Sequence, residues 1–274
     1  MTESEVIQGF AENNGVELYY ETRGHGEPLI CVSGGGGDAG FFTKLANYLK
    51  DSFTVITYDR RGYSRSTRPQ ANNFNIQDHV ADIKAVLHAN GYERACIVGN
   101  SAGAIIALET AVRMPEIIKK VIIHEPPVVN VLQNRKKYLR LMTKTYNIGL
   151  RYGSNLASNW FNFSLSLPFS VFKHIPKDFQ ERMTQYKNNE QLIFIELLGL
   201  SRYVPDYKKI MDHNVDIYLA SGKRTMKKKK YYGVTSPIIA KNLKCPFIVF
   251  PGHHLSFLDQ TELWGNKLKQ TLLD

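Results

Sequence analysis

The chain has 274 residues, with 35 Lys and Arg against 25 Asp and Glu and a formal net charge of +10. With 43% hydrophobic and 22% charged residues, it has the composition of a globular protein with ample material for a core, which excludes disordered and fibrous classes. Its longest apolar-looking stretch, Leu156 to Pro176, is broken by Asn159, Asn162, several serines and Lys173, so stable membrane insertion is not expected.

Met1 is followed by Thr-Glu-Ser-Glu, the opposite of a basic n-region and apolar h-region, so no secretory leader is expected. Strands are predicted at Val6 to Ala11 and Val16 to Thr22, joined by the hairpin turn Asn13-Asn14-Gly15. Leu29 to Ser33 is a short apolar strand that runs into Gly34 to Gly37. Phe41 to Leu49 has helical spacing, and Phe53 to Tyr58 reads as another buried strand. A loop from Asp59 to Pro69 precedes a helix from Ile76 to about Asn90, closed by Gly91. Ala95 to Gly99 is a strand, Ala102 to Met114 a helix stopped by Pro115, and Lys120 to His124 a strand.

From about Pro127 to His213 helical segments dominate, and aromatic residues cluster at Trp160, Phe161, Phe163, Phe169 and Phe172. Most of these are expected in that segment's own core, with some lining an apolar pocket. Alternation resumes with a strand at Asp216 to Ser221, a basic loop at 223–230, and a helix near Pro237 to Leu243. A strand at Pro246 to Phe250 and a helix at Thr261 to Leu272 follow. The alternation predicts an α/β fold, a mostly parallel sheet with helices on both faces. Residues 1–127 and 214–274 form its core domain, and 128–213 a helical cap insertion. Cys31, Cys96 and Cys245 lie in or beside apolar runs and are expected as buried reduced thiols, which points to a cytoplasmic location.

Two motifs compete for the function. Gly35, Gly37 and Gly40 satisfy G-x-G-x-x-G after a strand, with Asp59 ending the next one, as in dinucleotide-binding domains. Two antiparallel-looking strands precede it, however, and neither a Tyr-x-x-x-Lys pair nor a Walker-type Gly-Lys-Ser/Thr occurs, so no cofactor is expected. The second motif, Gly99-Asn100-Ser101-Ala102-Gly103, is a G-x-S-x-G between a predicted strand and a predicted helix. There a sharp turn lifts the serine Oγ above the sheet edge, next to a helix N-terminus that favours developing negative charge.

With these residues the chain resembles the α/β-hydrolase superfamily, and most of all its esterase-like serine hydrolases. Ser33 to Asp38, Tyr58 to Ser66, the Gly99 to Gly103 elbow and Pro251-Gly-His-His254 match in order, with His124-Glu-Pro-Pro127 after the following strand. The resemblance implies Ser101 as nucleophile, a histidine base and an orienting acid. In relatives that histidine precedes an aromatic in the last helix by ten positions; counting back from Trp264 selects His254, with His253 as the alternative. Most relatives place the acid where Thr225 stands, and Thr225 cannot carry a charge. Some members, the haloalkane dehalogenases among them, take it from the end of the strand after the elbow strand, where Glu125 stands. The oxyanion hole would use the backbone N–H groups of Gly35 and Ala102. Asp59 and Arg60 are expected to be structural, and His79, Asp82 and His88 to lie on a helix surface rather than to bind metal.

The expected activity is hydrolysis of a small-molecule ester, or an amide or lactone, through an acyl-enzyme, without metal. The alternatives are a non-catalytic ligand-binding member of the fold, a cofactor-free perhydrolase or lyase on the same triad and, more distantly, a nucleotide-dependent oxidoreductase. Residues 128–212 hold 13 Lys and Arg against six Asp and Glu, and residues 223–230 add six basic residues and no acid. This basicity suggests a solvated face, or a substrate that is acidic or carries an apolar acyl group. Without a nucleic-acid motif, no nucleic-acid partner is expected; a homo-oligomer is left open.

Overall fold

The computed structural model describes residues 6–69 and 73–274; the leader reading at Met1 to Glu5 lies outside them. Eight strands form one sheet: β1 (Ile7–Asn13), β2 (Val16–Arg23), β3 (Glu27–Val32), β4 (Phe53–Tyr58), β5 (Ala95–Asn100), β6 (Ile118–His124), β7 (Ile217–Gly222) and β8 (Phe247–Phe250). Their order is β1-β2-β4-β3-β5-β6-β7-β8. The β1–β2 and β2–β4 pairs are antiparallel and all others parallel. The β1–β2 turn needs left-handed backbone at both central positions, and Asn14 and Gly15 supply it with φ of 52° and 75°.

Helices α1 (Thr43–Leu49), α2 (Ile76–Ala89) and α3 (Ala102–Arg113) connect the first parallel strands. The β4, β5 and most β6 residues are buried, because a parallel sheet covered on both faces has no solvated side and reads as continuous apolar runs. The chain leaves β3 toward β4 on one side and returns to β5 on the other. The carboxyl ends of β3 and β5 thus form a switch point, where open α/β sheets leave a crevice.

Between β6 and β7 the chain is helical: α4 (Arg135–Tyr152), α5 (Ser154–Leu165), α6 (Phe169–Phe172), α7 (Lys177–Gln185), α8 (Asn188–Glu190), a π-helical turn Gln191–Glu196, α9 (Leu197–Ser201) and α10 (Tyr207–Asp212). Its core is built mainly from aliphatic residues such as Leu132, Met142, Leu165, Ile193 and Leu197, with Tyr231 and Tyr232 from beyond it. This corrects the expectation for its aromatics, since Trp160, Phe163, Phe169 and Phe172 are exposed. Smaller side chains fill the core between these helices, while Phe161 and Phe172 line a cavity and Trp160, Phe163 and Phe169 stay at the surface.

After β7 the predicted basic loop is instead a short helix, α11 (Lys223–Lys227). The next helix, α12 (Tyr231–Leu243), starts well before Pro237, which lies inside it. Proline cannot donate to the carbonyl four residues earlier. That carbonyl, on Gly233, accepts instead from the Ser221 hydroxyl at 2.8 Å, so the helix tolerates the ring. Helices α13 (Ser256–Asp259) and α14 (Thr261–Leu273) end the chain. All three cysteines are free, and Cys31 and Cys96 are buried while Cys245 is half-buried.

Buried ion pairs tie the helical segment to the sheet. Arg60 and Glu196 meet through two hydrogen bonds of 2.7 and 3.0 Å, both side chains fully buried. Arg60 also donates to the Gly34 carbonyl at 2.8 Å, and Arg182 donates to both oxygens of Asp38. Asp59 accepts from the Ala39 amide and from Arg65, so it holds the turn after the glycine-rich loop. His79 and Asp82 depart from the surface expectation: both are buried. His79 faces Glu196 at 3.5 Å, and Asp82 accepts from Arg61 and Asn13. The loop after β4 and strand β1 cover this side of α2, which the helical spacing alone did not show.

Candidate functional site

Every predicted site residue follows the carboxyl end of a strand. Gly34 and Gly35 follow β3, Ser101 follows β5, Glu125 follows β6, and His253 and His254 follow β8. Ser101 has φ 57° and ψ −120° at the start of α3, the left-handed region that an L-residue occupies only when its surroundings hold it there. Two glycines make that turn sterically feasible. A Cβ on Gly99 would lie 2.4 Å from the Gly103 carbonyl oxygen, and one on Gly103 would lie 2.1 Å from the Val32 carbonyl oxygen. The Ser101 amide donates to the His124 carbonyl at 3.0 Å, fixing the turn to β6.

Glu125, like Ser101, has left-handed backbone, at φ 52°. Its side chain is fully buried and both oxygens are engaged: Oε1 accepts from the Gly222 amide at 2.8 Å, and Oε2 lies 2.6 Å from Nδ1 of His254. Burial alone would raise the carboxyl's pKa. The hydrogen bond with His254, the electrostatic influence of the neighbouring His124 and His254 rings, and the Gly222 amide outweigh that and hold it below the usual value. A carboxylate can only accept, so with Glu125 ionised the contact is one in which Nδ1 of His254 donates. The Tyr232 ring packs against the His254 imidazole with centroids 4.4 Å apart.

The two histidines separate cleanly. His254 lines the same cavity as Ser101. The His253 side chain instead pairs through Nε2 with Asp259 at 3.0 Å. Thr225 is buried beside the same glycine as the acid: a Cβ on Gly233 would lie 2.5 Å from Thr225 Cγ2 and 3.8 Å from Glu125 Oε1.

The cavity encloses about 170 Å³. Gly35, Ser101, Ala102 and His254 line it together with Phe161, Leu165, Phe179 and Leu192 from the helical segment, among others. A Cβ on Gly34 would lie 2.9 Å from Ser101 Cβ, so the glycine-rich loop passes directly beside the serine. The N-terminus of α3 opens at Ala102 and adds the positive end of its dipole. Asp59 and Arg60 do not line the cavity.

Three neighbours of the site, Asn100, His124 and Tyr232, were not singled out as such by the sequence reading. Asn100, the variable position before the elbow serine, donates through Nδ2 to the His254 carbonyl at 3.1 Å and sits 2.9 Å from Nδ1 of His124. Its place inside the motif was a usable signal. His124 is fully buried among Asn100, Phe250 and Trp264, and burial is the main cause that lowers its pKa to about 4. Tyr232 carried no local signal.

Comparison with known proteins gives the same fold and family. The alpha/beta hydrolase fold family matches residues 27–196. The chain is similar to the uncharacterized hydrolase YraK of Bacillus subtilis, at 26% identity over 97% of this chain and 96% of that one. Among solved structures it is similar to a thermophilic esterase from Thermogutta terrifontis, with TM-score 0.76, 16% identity and 98% of both chains covered. It is also similar to the enol-lactonase of Burkholderia xenovorans LB400, with TM-score 0.68, 16% identity, and 97% of this chain and 100% of that chain covered. This chain belongs to the alpha/beta hydrolase fold family.

Proposed function

We propose that this hydrolase-family protein cleaves a small-molecule carboxylic ester through an acyl-enzyme, with Ser101, His254 and Glu125 as its triad. The observation that carries the reading is the buried Glu125–His254 pair, whose imidazole opens with Ser101 onto one cavity. Ser101 Oγ attacks the acyl carbon while its proton passes to Nε2 of His254. The Glu125 carboxylate steadies the resulting imidazolium through Nδ1. The N–H groups of Gly35 and Ala102 receive the oxyanion, aided by the α3 dipole. Collapse expels the alkoxide, which takes the proton from His254. Water then repeats the sequence on the acyl-enzyme, with His254 again as base. Amides and lactones pass through the same tetrahedral species.

In this reading, residues 128–213 act as a cap over Ser101, and the apolar wall of Phe161, Leu165 and Leu192 receives the acyl group. The test is labelling by a fluorophosphonate probe, combined with p-nitrophenyl esters of increasing acyl length. Wild-type protein labels at Ser101 and turns over one length range, and Ser101→Ala loses both. A folded wild-type protein that neither labels nor hydrolyses any ester would refute the proposal.

A further inference from the structure

We propose that the α4–α5–α6 face of the helical segment docks onto an anionic lipid surface. From Pro126 through Lys177 the chain carries eight Lys and Arg and no Asp or Glu. Such one-signed charge complements a plane of phosphates better than a protein face of mixed charge.

Its placement is ordered. On α4, Lys136, Arg140, Lys144 and Arg151 line one open surface groove, a stripe set by helical periodicity. On α5, Leu156, Trp160 and Phe163 follow at intervals of four and three and are all exposed, a second stripe that is apolar. The two stripes are joined where Lys144 Nζ sits 4.5 Å from the Trp160 ring centroid. Beyond the left-handed turn at Ser166, α6 adds Phe169 and Phe172, with ring centroids 6.1 Å apart.

Phe163 is 80% and Phe169 91% exposed. Burying such rings at an interface is favourable, and each cation near an anionic leaflet adds to the attraction. Aromatic and aliphatic residues beside Lys and Arg on adjoining helices match the pattern of interfacial docking. Among the described residues no helix is long and apolar enough to cross a membrane, so this contact is peripheral. The inner side of the same wall, at Phe161, Leu165 and Phe172, lines the cavity. Docking itself does not depend on the hydrolytic reading.

The experiment is co-sedimentation of the full chain carrying Ser101→Ala, which leaves vesicle esters intact. Vesicles of phosphatidylcholine alone are compared with vesicles also containing phosphatidylserine. The chain is expected to bind the mixed vesicles, less so as salt rises. Phe163→Ser with Phe169→Ser should weaken that binding by at least about tenfold without changing the thermal unfolding midpoint. Lys144→Gln with Arg151→Gln should weaken binding to the mixed vesicles. Absence of binding at low salt would overturn the proposal, as would binding indifferent to the phenylalanine pair. A dimer that the phenylalanine pair dissolves, without vesicle binding, would reassign the face to self-association.

Discussion

Oε2 of Glu125 lies 2.6 Å from Nδ1 of His254, a contact between residues 129 positions apart. The carboxylate is oriented by more than that contact. The Gly222 amide holds Oε1, and the Glu125 amide donates to the Ala220 carbonyl at 2.9 Å. Backbone from β7 therefore aims a side chain from β6 at a histidine beyond β8.

In the proposed mechanism, Glu125→Gln should lower kcat by about 10³–10⁴, because an amide neither fixes the tautomer nor steadies an imidazolium. The amide oxygen can still accept from Gly222, so the fold should persist. Ester turnover together with near-ultraviolet circular dichroism checks this. Near-wild-type turnover would remove Glu125 from the mechanism.

The Arg60–Glu196 pair should dominate the stability of the joint between sheet and helical segment. Glu196→Ala leaves a fully buried guanidinium without its counter-charge and should cost about 3–5 kcal/mol. It also removes the acceptor for the Tyr63 hydroxyl, now at 2.7 Å. Arg60→Met combined with Glu196→Leu should recover most of that loss. Urea unfolding of the three proteins gives the comparison, and a double variant as unstable as the single one would contradict it.

Glycines near the serine should differ sharply in tolerance. A Cβ at Gly103 meets the carbonyl oxygens of Val32 and Ser33 at 2.1 and 2.7 Å. Gly103→Ala must therefore push α3 away from the end of β3 and should cost about 3 kcal/mol or more. At Gly35 the nearest atoms are Leu192 methyl groups at 3.1 and 3.2 Å, which can rotate away. Gly35→Ala should cost less than about 1 kcal/mol. Equal thermal midpoints for the two variants would disprove the distinction.

Acid should destabilise the fold partly through His124. Its folded pKa is depressed to about 4 from 6.5, so between those values the unfolded chain binds the extra proton. Stability is thus fully present above about pH 6.5 and is lost as pH falls toward 4, by roughly 3 kcal/mol. His79, buried beside Arg60 and Arg61, is lowered as well and acts with the same sign. His124→Phe should flatten the dependence of unfolding free energy on pH in that window. An unchanged slope would assign the acid sensitivity elsewhere.

The sheet was legible because each buried strand is a short apolar run and most interruptions carry local punctuation, such as Asn14-Gly15 or Gly91. Pro237 misled that reading. A proline normally marks a helix start, and only the distant Ser221 hydroxyl lets α12 run through it. The helical aromatics misled it too, since ring size indicates nothing about which side of a helix meets its neighbours in the segment's core.

By itself the sequence determined the alternation of elements, the strained turn at Ser101 and the family, because these depend on neighbours within a few residues. Tertiary structure decided which histidine faces the cavity, which carboxylate meets it, and that His79 and Asp82 are buried. His253 and His254 are adjacent in sequence, yet one turns to Asp259 and the other to Glu125. Spacing to Trp264 points to His254 but leaves His253 open; the direction of the backbone after β8, and a Glu125 that arrives from the end of β6, separate the two side chains in space.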